Sequence, residues 1–391
     1  MILVLNCGSS SLKFCLFNQS FEEKIKGNFE RIGVDGSFAS FSNNGNKNKY
    51  EQEFKIHKDC MIFLFEKLAE VYNIDINSIK IIGHRIVHGG KLPCAAIVDD
   101  EMLSYMDEIS GLAPLHNPVQ MKVVRVCMEL FPNIKNSLSF DTAYHATIPD
   151  YAYTYALPVA IAEKYKIRKY GFHGISHEFV MKEFALKNNK KEEDVSLIVC
   201  HLGSGCSVAA IKNGKSIDTS MGFTPLEGLV MGTRTGDMDP YIPLFIAEKE
   251  GLSLENINFL MNNKSGLIGL TGLSNADMRE VLFLADYPVT DFDGSYLNEK
   301  FSQEELLLLK KRCKLAVNVF VYRIKKYVSS YFGILDGKVD AIVFTAGVGE
   351  RSAIIRNLIT NDLEVLKNIP VCVIPTNEEK MIAEEAFNFI K

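Results

Sequence analysis

The feature that most constrains this chain is a short pattern that occurs twice, once in each half. The segment Leu3–Ser11 (LVLNCGSSS) and the segment Ile198–Ser207 (IVCHLGSGCS) both join an apolar run to a Gly/Ser tract. A second apolar run follows each tract, at Leu12–Phe17 and at Val208–Ile211. This pattern predicts a β-hairpin with a small-residue corner. Small residues let backbone N–H groups approach an anion closely, so two facing corners predict a polyphosphate held between two domains.

Length and charge narrow the class of protein. The chain has 391 residues, too many for one ordinary core, so we expect two domains. Its net charge of −5, from 43 basic and 48 acidic residues, gives no support to nucleic-acid or membrane binding. Nine cysteines without CxxC spacing predict reduced, mostly buried thiols. Because neither a basic leader nor an apolar stretch of bilayer length is present, we expect a cytoplasmic protein.

Each half opens with a hairpin and continues with alternating strand and helix patterns. In the first half, a helical pattern over Lys58–Tyr72 precedes a buried strand over Ile79–Val87. In the second half, a long helical pattern over Phe301–Phe332 precedes a buried strand over Val339–Phe344. This alternation predicts a duplicated α/β architecture with a cleft between the halves. We expect a hinge near Pro149 and a last helix that returns to the first domain, giving domains of 1–149 plus 380–391 and of 150–379.

Two arginines stand among glycines, a setting that favours anion binding. Arg85 lies in GHRIVHGG at the end of a strand, and Arg234 lies in MGTRTGD. A planar guanidinium presented from a Gly-rich backbone suits bidentate recognition of a carboxylate or a phosphate. For either arginine alone, a structural salt bridge is the competing interpretation.

A Gly-rich turn near the C-terminus is a further candidate for phosphate contact. The segment Gly347–Ser352 (GVGERS) follows a strand and precedes a helix, as the phosphate-binding turns of nucleotide sites do. A plain tight turn explains the same spacing equally well. A P-loop is excluded, because AAIKNGKS at 209–216 lacks the first glycine and leads from a strand into a turn.

Histidines and acids complete the set of candidates. His173 and His177 have i, i+4 spacing, but no Glu follows His173 and Gly174 interrupts a helix. We therefore expect hydrogen bonding there in preference to metal ligation. Asp141 ends a short strand, where a carboxylate either meets a ligand-borne Mg²⁺ or caps a helix. Glu378 opens the last helix, where the helix dipole alone accounts for an acid.

These motifs together resemble the acetate kinase family, in the family's order and over essentially the whole chain. The matching segments are NCGSSSLKF, GHRIVHGG, LAPLHNP, FDTAYHATIP, YGFHGISH, HLGSGCSVAAIKNGKSIDTSMGFTPLEGLVMGTRTGDMDP, FTAGVGERS and IPTNEE. The long block from His201 to Pro240 is highly specific to that family.

The resemblance implies a fold and an activity. The implied fold is a two-domain, duplicated ribonuclease-H-like (actin-like ATPase) fold with an interdomain cleft, shared with sugar kinases and chaperone ATPases. The implied reaction is reversible transfer of the ATP γ-phosphoryl group to acetate, giving acetyl phosphate and ADP. Mg²⁺, or Mn²⁺ in its place, is the implied cofactor, and a homodimer is the implied assembly. A propionate or butyrate kinase of the same fold is one alternative, and a non-catalytic actin-like ATP-binding protein is the other.

The resemblance also assigns roles to residues. Arg85 and Arg234 match the arginines that hold acetate and the transferring phosphoryl group, and His173 matches the transition-state histidine. Asp141 and Glu378 match the acids tied to catalysis and Mg²⁺, and Asn6 matches an asparagine near the metal. The implied nucleotide contacts are Asn6, Ser9, Ser11 and Lys13 in the first corner, His201, Gly203, Ser204 and Gly205 in the second, Asp277, Met278 and Arg279 within Ser274–Arg279, and Gly347, Val348, Gly349 and Glu350.

The chain departs from the family pattern at a few positions. Ser204 and Arg351 stand where the family often has Asn, and Cys206 stands where it often has Gly or Ala. The stretch Lys91–Cys94 after the GHRIVHGG motif also differs, and it leaves the preferred chain length of the acid open.

Overall fold

The chain divides into two compact units, each built from more than one segment. The computed structural model describes residues 1–43, 45–275, 277–361 and 363–391. One unit contains Met1–Ala146, Phe172–Phe179 and Asn377–Lys391, and the other contains Thr147–Gly171 and Val180–Thr376. The domain boundaries expected from the sequence stay a prediction.

The first unit is organised around a mixed β-sheet. Its strands in the described residues are β1 (Ile2–Cys7), β2 (Ser11–Phe17), β3 (Glu23–Glu30), β4 (Phe38–Asn43), β5 (Asn46–Glu51), β6 (Ile81–Ile86), β7 (Ala96–Ile97) and β8 (Lys135–Phe140). Their order across the sheet is β5-β4-β3-β2-β1-β6-β8-β7. Strand β6 is parallel to both β1 and β8, and the other neighbouring pairs are antiparallel.

The sheet of the second unit repeats the centre of the first. Its strands are β9 (Leu197–Leu202), β10 (Cys206–Lys212), β11 (Lys215–Thr219), β12 (Ala341–Thr345) and β13 (Val371–Val373). The order β11-β10-β9-β12-β13 corresponds strand for strand to β3-β2-β1-β6-β8, with the same parallel and antiparallel pairings. The repeated hairpin expected from the sequence is confirmed, and the duplicated α/β class with it.

Helices cover and connect the two sheets. Their bounds are α1 His57–Glu70, α2 Asp100–Glu108, α3 Asn117–Leu130, α4 Asp150–Tyr153, α5 Val159–Lys164, α6 Gly174–Lys187, α7 Tyr241–Glu250, α8 Leu254–Asn263, α9 Gly266–Thr271, α10 Met278–Leu284, α11 Leu297–Lys300, α12 Gln303–Ile334, α13 Ala346–Arg351, α14 Ala353–Thr360 and α15 Glu378–Phe387. The long helix expected from Phe301 begins after Ser302, because Ser302 and Glu305 form a capping box. In the part of the chain that the structure describes, no helix is both long and apolar enough to cross a bilayer.

In each unit, a helix packs on the central strands of the sheet. In the first unit, α15 packs on β1, β6 and β8. In the second, α12 packs on β9 and β10 and buries Val317, Phe320 and Ile324. In sheets of this kind ligands gather at the carboxyl ends of the parallel strands. The first corner follows β1, Arg85 lies near the end of β6, and Asp141 follows β8.

Candidate active site

Arg85 meets two acids from distant parts of the chain. Its Nε and Nη2 donate to Oδ1 and Oδ2 of Asp141 at 3.0 and 2.8 Å, which makes a bidentate pair. Its Nη1 lies 3.2 Å from Oε2 of Glu378, the first residue of α15. At least three of the five guanidinium N–H donors are therefore engaged, and at most two are left for a ligand.

This ion triad is partly buried and holds its charge. The side chains of Arg85, Asp141 and Glu378 are 19, 3 and 14% exposed. Burial by itself lowers the pKa of Arg85, but the charges of Asp141 and Glu378 outweigh it and raise the pKa above its ordinary value. One cation and two anions leave the triad with a formal charge of −1, which favours a further cation beside it.

His173 is tied to the same part of the first unit through the backbone. The N–H of Gly174 donates to the carbonyl oxygen of Asp141 at 2.7 Å. His173 itself has φ +59°, a left-handed conformation that is uncommon for a residue with a side chain. Gly174 begins α6, whereas the sequence analysis expected it to interrupt a helix. A Cβ at Gly174 would overlap the Asp141 carbonyl oxygen, which explains the absence of a side chain there.

The first Gly/Ser corner joins β1 to β2 and exposes polar groups. Gly8 N–H donates to the carbonyl oxygen of Ser11 at 2.9 Å, and Asn6 lies opposite Lys13 in the hairpin register. Ser9 and Lys13 are exposed. The half-buried Asn6 side chain makes no hydrogen bond to another described residue, so its amide is available to a ligand.

Two side chains that the sequence analysis missed brace this corner. Nε2 of His57 lies 2.9 Å from the carbonyl oxygen of Gly8. The Gln120 side chain donates from Nε2 to the Cys7 carbonyl oxygen at 3.3 Å and accepts at Oε1 from the Val87 N–H at 3.0 Å. Gln120 thus links the end of β1 to the residue that follows β6. The available signal in the sequence was an amide between Val119 and Met121, in the apolar-periodic stretch that follows LAPLHNP.

A cavity of about 430 Å³ in the second unit collects three of the segments assigned to nucleotide binding. That volume lies in the range of small-molecule sites. The assigned residues that line it are Gly203, Ser204, Asp277, Met278, Arg279, Gly347 and Val348. Within Ser274–Arg279, Ala276 lies outside the described residues. The departures Ser204 and Arg351 also face this cavity, so they belong to its surface.

Other assigned residues lie elsewhere in the second unit. Among the described residues, His201, Gly205, Gly349 and Glu350 are not part of the lining of this cavity. Glu350 instead accepts a hydrogen bond from the Thr376 N–H at 3.2 Å. The lining residues outside every motif named in the sequence are Leu282, Pro288, Val289, Thr290, Asp291, Ala353 and Ile354. Ser352, the last residue of GVGERS, also lines the cavity.

The segment Gly347–Arg351 is helical, where the sequence analysis expected a turn. Helix α13 starts at Ala346, directly after β12. Ala346 has φ +63°, and this left-handed residue turns the chain at the end of the strand so that a helix begins at once.

Arg234 has surroundings unlike those of Arg85. Its Nη1 donates to the Pro225 carbonyl oxygen at 3.4 Å and lies 3.8 Å from Sδ of Met231. Within the described ranges no carboxylate pairs with it, and burial lowers its pKa. An anion bound to Arg234 would compensate a desolvated positive charge.

Two acids and one amide of the first unit have the chemistry that suits a magnesium ion bound together with a nucleotide. Asn6, Asp141 and Glu378 offer only oxygen donors, which Mg²⁺ prefers. No group of three or more His, Cys, Asp or Glu in the described ranges is arranged to hold a metal by itself. Mg²⁺ usually takes one or two ligands from protein and the rest from phosphates and water.

Comparison with known proteins gives a consistent result. The model of the Acetokinase family matches residues 1–291 and 293–369. An acetate kinase from Dictyoglomus turgidum is 43% identical over 417 positions, covering 100% of this chain and 97% of the relative.

Solved structures agree in fold over the full length. The acetate kinase of Porphyromonas gingivalis gives a TM-score of 0.87 at 35% identity, covering 100% of this chain and 99% of that one. A propionate kinase from Francisella tularensis gives 0.87 at 38% identity, covering 99% of both chains. The duplicated α/β fold class expected from the sequence is confirmed by these matches. The family model and these relatives together show that the chain belongs to the acetokinase family.

Proposed function

We propose that the protein transfers the γ-phosphoryl group of ATP to acetate, reversibly, giving acetyl phosphate and ADP. The observation that carries this proposal is the buried triad of Arg85, Asp141 and Glu378 in a member of the acetokinase family. The two acids fix the plane of the guanidinium and leave part of its fork free. Such a fork suits a small carboxylate or a phosphoryl group.

The chemistry requires positioning and charge compensation more than proton transfer. Acetate is ionised at neutral pH, so its oxygen attacks phosphorus directly and no general base is needed. A new O–P bond forms in line as the bond to the ADP oxygen breaks, and ADP leaves with the electron pair. The barrier comes from the approach of two anions and from charge on the phosphoryl group in flight.

Each charged side chain has a role in lowering that barrier. Arg85 and Arg234 bind the carboxylate of acetate and the equatorial oxygens of the phosphoryl group. His173 donates a hydrogen bond to an equatorial oxygen. Asp141 orients Arg85, which its bidentate contact supports.

The nucleotide contacts follow from the second unit and the two corners. The 430 Å³ cavity of the second unit takes the nucleoside of ATP, which its volume and its lining residues support. Backbone N–H groups of the Gly/Ser corners, with Ser9, Ser11, Lys13 and His201, bind phosphate oxygens. Asn6 and Glu378 would hold Mg²⁺, which, when bound, neutralises the β- and γ-phosphate oxygens.

The acid that the enzyme prefers has a second candidate. A propionate kinase is as similar in fold as an acetate kinase, which favours propionate or butyrate as an alternative substrate. The chain also departs from the family pattern at Lys91–Cys94. We give acetate priority because the relative at 43% identity over the full chain is an acetate kinase.

A hydroxamate assay with purified protein tests these alternatives. With Mg·ATP, acetate should yield the highest kcat/KM, followed by propionate and butyrate. Higher kcat/KM on propionate or butyrate would move the assignment to the longer acid. Slow ATP hydrolysis that acetate does not change would indicate a non-catalytic ATP-binding protein of the actin type.

The assembly and the compartment belong to the same proposal. We infer a homodimer that forms through α7 and α8, because α7 buries none of its side chains although Tyr241, Leu244 and Phe245 are apolar. The protein works in the cytoplasm, which its nine free thiols support.

A further inference from the structure

Both peptide groups that flank His173 are held by one short segment, residues 141–145. On one side, the Gly174 N–H donates to the carbonyl oxygen of Asp141 at 2.7 Å. On the other side, Nε2 of His145 lies 3.0 Å from the carbonyl oxygen of Phe172. His173 is therefore clamped through its backbone, from both directions.

The contact of His145 has a defined chemistry. A carbonyl oxygen only accepts, so Nε2 of His145 carries a hydrogen and donates it. His145 is fully buried in a short helical turn over Ala143–Thr147, and its ring packs 5.6 Å from the ring of His177. Phe172 is also buried. The donor and the acceptor are therefore both fixed in the core of the first unit.

His173 needs such a clamp because its backbone conformation is strained. A left-handed φ in a non-glycine residue costs free energy, and it persists only where the surroundings impose it. Without the hydrogen bond to Phe172, the peptide before His173 loses one restraint that opposes its rotation towards an ordinary φ. That rotation would redirect the His173 ring, which a transferring phosphoryl group needs in one place.

We propose that His145 is a positioning residue for the phosphoryl transfer, acting on His173 through the Phe172 carbonyl. This inference rests on the proposed function for the role of His173. In this proposal His145 contacts neither substrate, and it sets the direction of the His173 ring, which contacts the phosphoryl group.

Steady-state kinetics of substitutions at His145 test the inference. His145→Phe keeps the ring and removes the donor, so kcat should fall roughly tenfold to a hundredfold while both KM values change little. His145→Gln should restore most of kcat, because its amide N–H reaches the position of Nε2. If His145→Phe does not fold, His145→Asn replaces it, because its shorter amide falls short of Phe172.

A double-substitution cycle separates positioning from general damage. In a His173→Ala background, His145→Phe should lower kcat by less than about twofold, because its route of action is gone. His84→Phe is the matched control, since His84 is also buried but bonds to Asn136 at 2.8 Å. The fold reductions in kcat caused by His84→Phe and by His173→Ala should therefore multiply in the double variant. Equal effects of His145→Phe in both backgrounds, or no rescue by Gln, would overturn the inference.

A second readout does not depend on the reaction. In ¹⁵N NMR of histidine-labelled protein, His145→Phe should shift or broaden the His173 ring signals, and His145→Gln should not. An unchanged His173 signal in His145→Phe would overturn the positioning role. Wild-type protein that forms no acetyl phosphate would instead overturn only the proposed function.

Discussion

Arg85 and Arg234 occupy similar sequence contexts but opposite electrostatic surroundings. Both stand among glycines, and a salt bridge competes with ligand binding as the interpretation of each. Arg85 does form salt bridges, yet its partners Asp141 and Glu378 are themselves candidates for catalysis. Arg234 contacts a carbonyl oxygen and a sulfur. Local sequence could not separate these cases, because the partners of Arg85 lie far from it along the chain.

Replacing either arginine with lysine should impair turnover strongly. In Arg85→Lys and Arg234→Lys, an ammonium cannot reproduce the planar fork, so the barrier should rise by about 3 kcal/mol. Arg125→Lys is the control, because Arg125 makes an exposed pair with Asp107 and takes no part in the site. Its kcat/KM in the hydroxamate assay should match wild type. Near-wild-type turnover by Arg85→Lys or Arg234→Lys would contradict the proposed role of these arginines in binding acetate and the phosphoryl group.

His84, next to Arg85 on β6, should make stability depend on pH. Burial lowers the pKa of His84 from 6.5 to about 4. Between these values the unfolded chain binds a proton that the folded protein does not, so the free energy of unfolding falls as pH falls. His84 should contribute about 1.4 kcal/mol per pH unit. Urea unfolding measures the free energy of unfolding at pH 5 and at pH 6.5. The change between these two pH values should be smaller for His84→Gln than for wild type, and an equal change would contradict the role of His84.

At the scale of elements, β6 and α15 together determine where the triad forms. Strand β6 carries Arg85, and α15 begins at Glu378. They approach closely because β6 has a glycine at their contact. A Cβ on Gly83 would lie 2.8 Å from Cγ2 of Ile382 and 3.3 Å from Cβ of Ala386. The sequence predicted both elements, but the contact between them depends on residues about three hundred positions apart and carries no local pattern.

Adding a side chain at Gly83 should therefore harm both stability and turnover. Gly83→Val should lower the free energy of unfolding by about 1–3 kcal/mol through overpacking, and it should raise KM by moving Glu378 away from Arg85. Gly333→Ala in α12 is the control, because nothing lies within 4 Å of a Cβ there. That change should stabilise the protein by about 0.5–1 kcal/mol. Chemical denaturation and steady-state kinetics measure both effects, and an unchanged Gly83→Val protein would refute the packing argument.

At the scale of the whole molecule, duplication is the property that sequence reasoning predicted best. The hairpin corners after β1 and β9 are local patterns of small and apolar residues, and they occur where expected. Strand β7 of the first sheet and the braces from His57 and Gln120 escaped prediction. Each of these contacts joins segments that are distant in sequence, for which a single chain offers no signal.

The assembly can be tested at the same scale. If α7 and α8 form the contact between two copies, wild-type protein should have the mass of a dimer in light scattering or sedimentation. Phe245→Glu with Leu254→Glu, both at exposed apolar positions, should yield monomers because buried charges oppose association. Val34→Glu, at an exposed position of the first unit, should leave the mass unchanged. A monomeric wild type would end the dimer proposal.

The Gln120 amide has a thermodynamic consequence. It hydrogen-bonds to the end of the strand before the first corner and to the residue two positions after Arg85. Because one side chain holds both backbone ends, we expect a ligand that orders one end to order the other as well. The second ligand then loses less conformational entropy on binding, whichever arrives first. Linkage makes the benefit mutual, so nucleotide and carboxylate should each strengthen the binding of the other by the same factor.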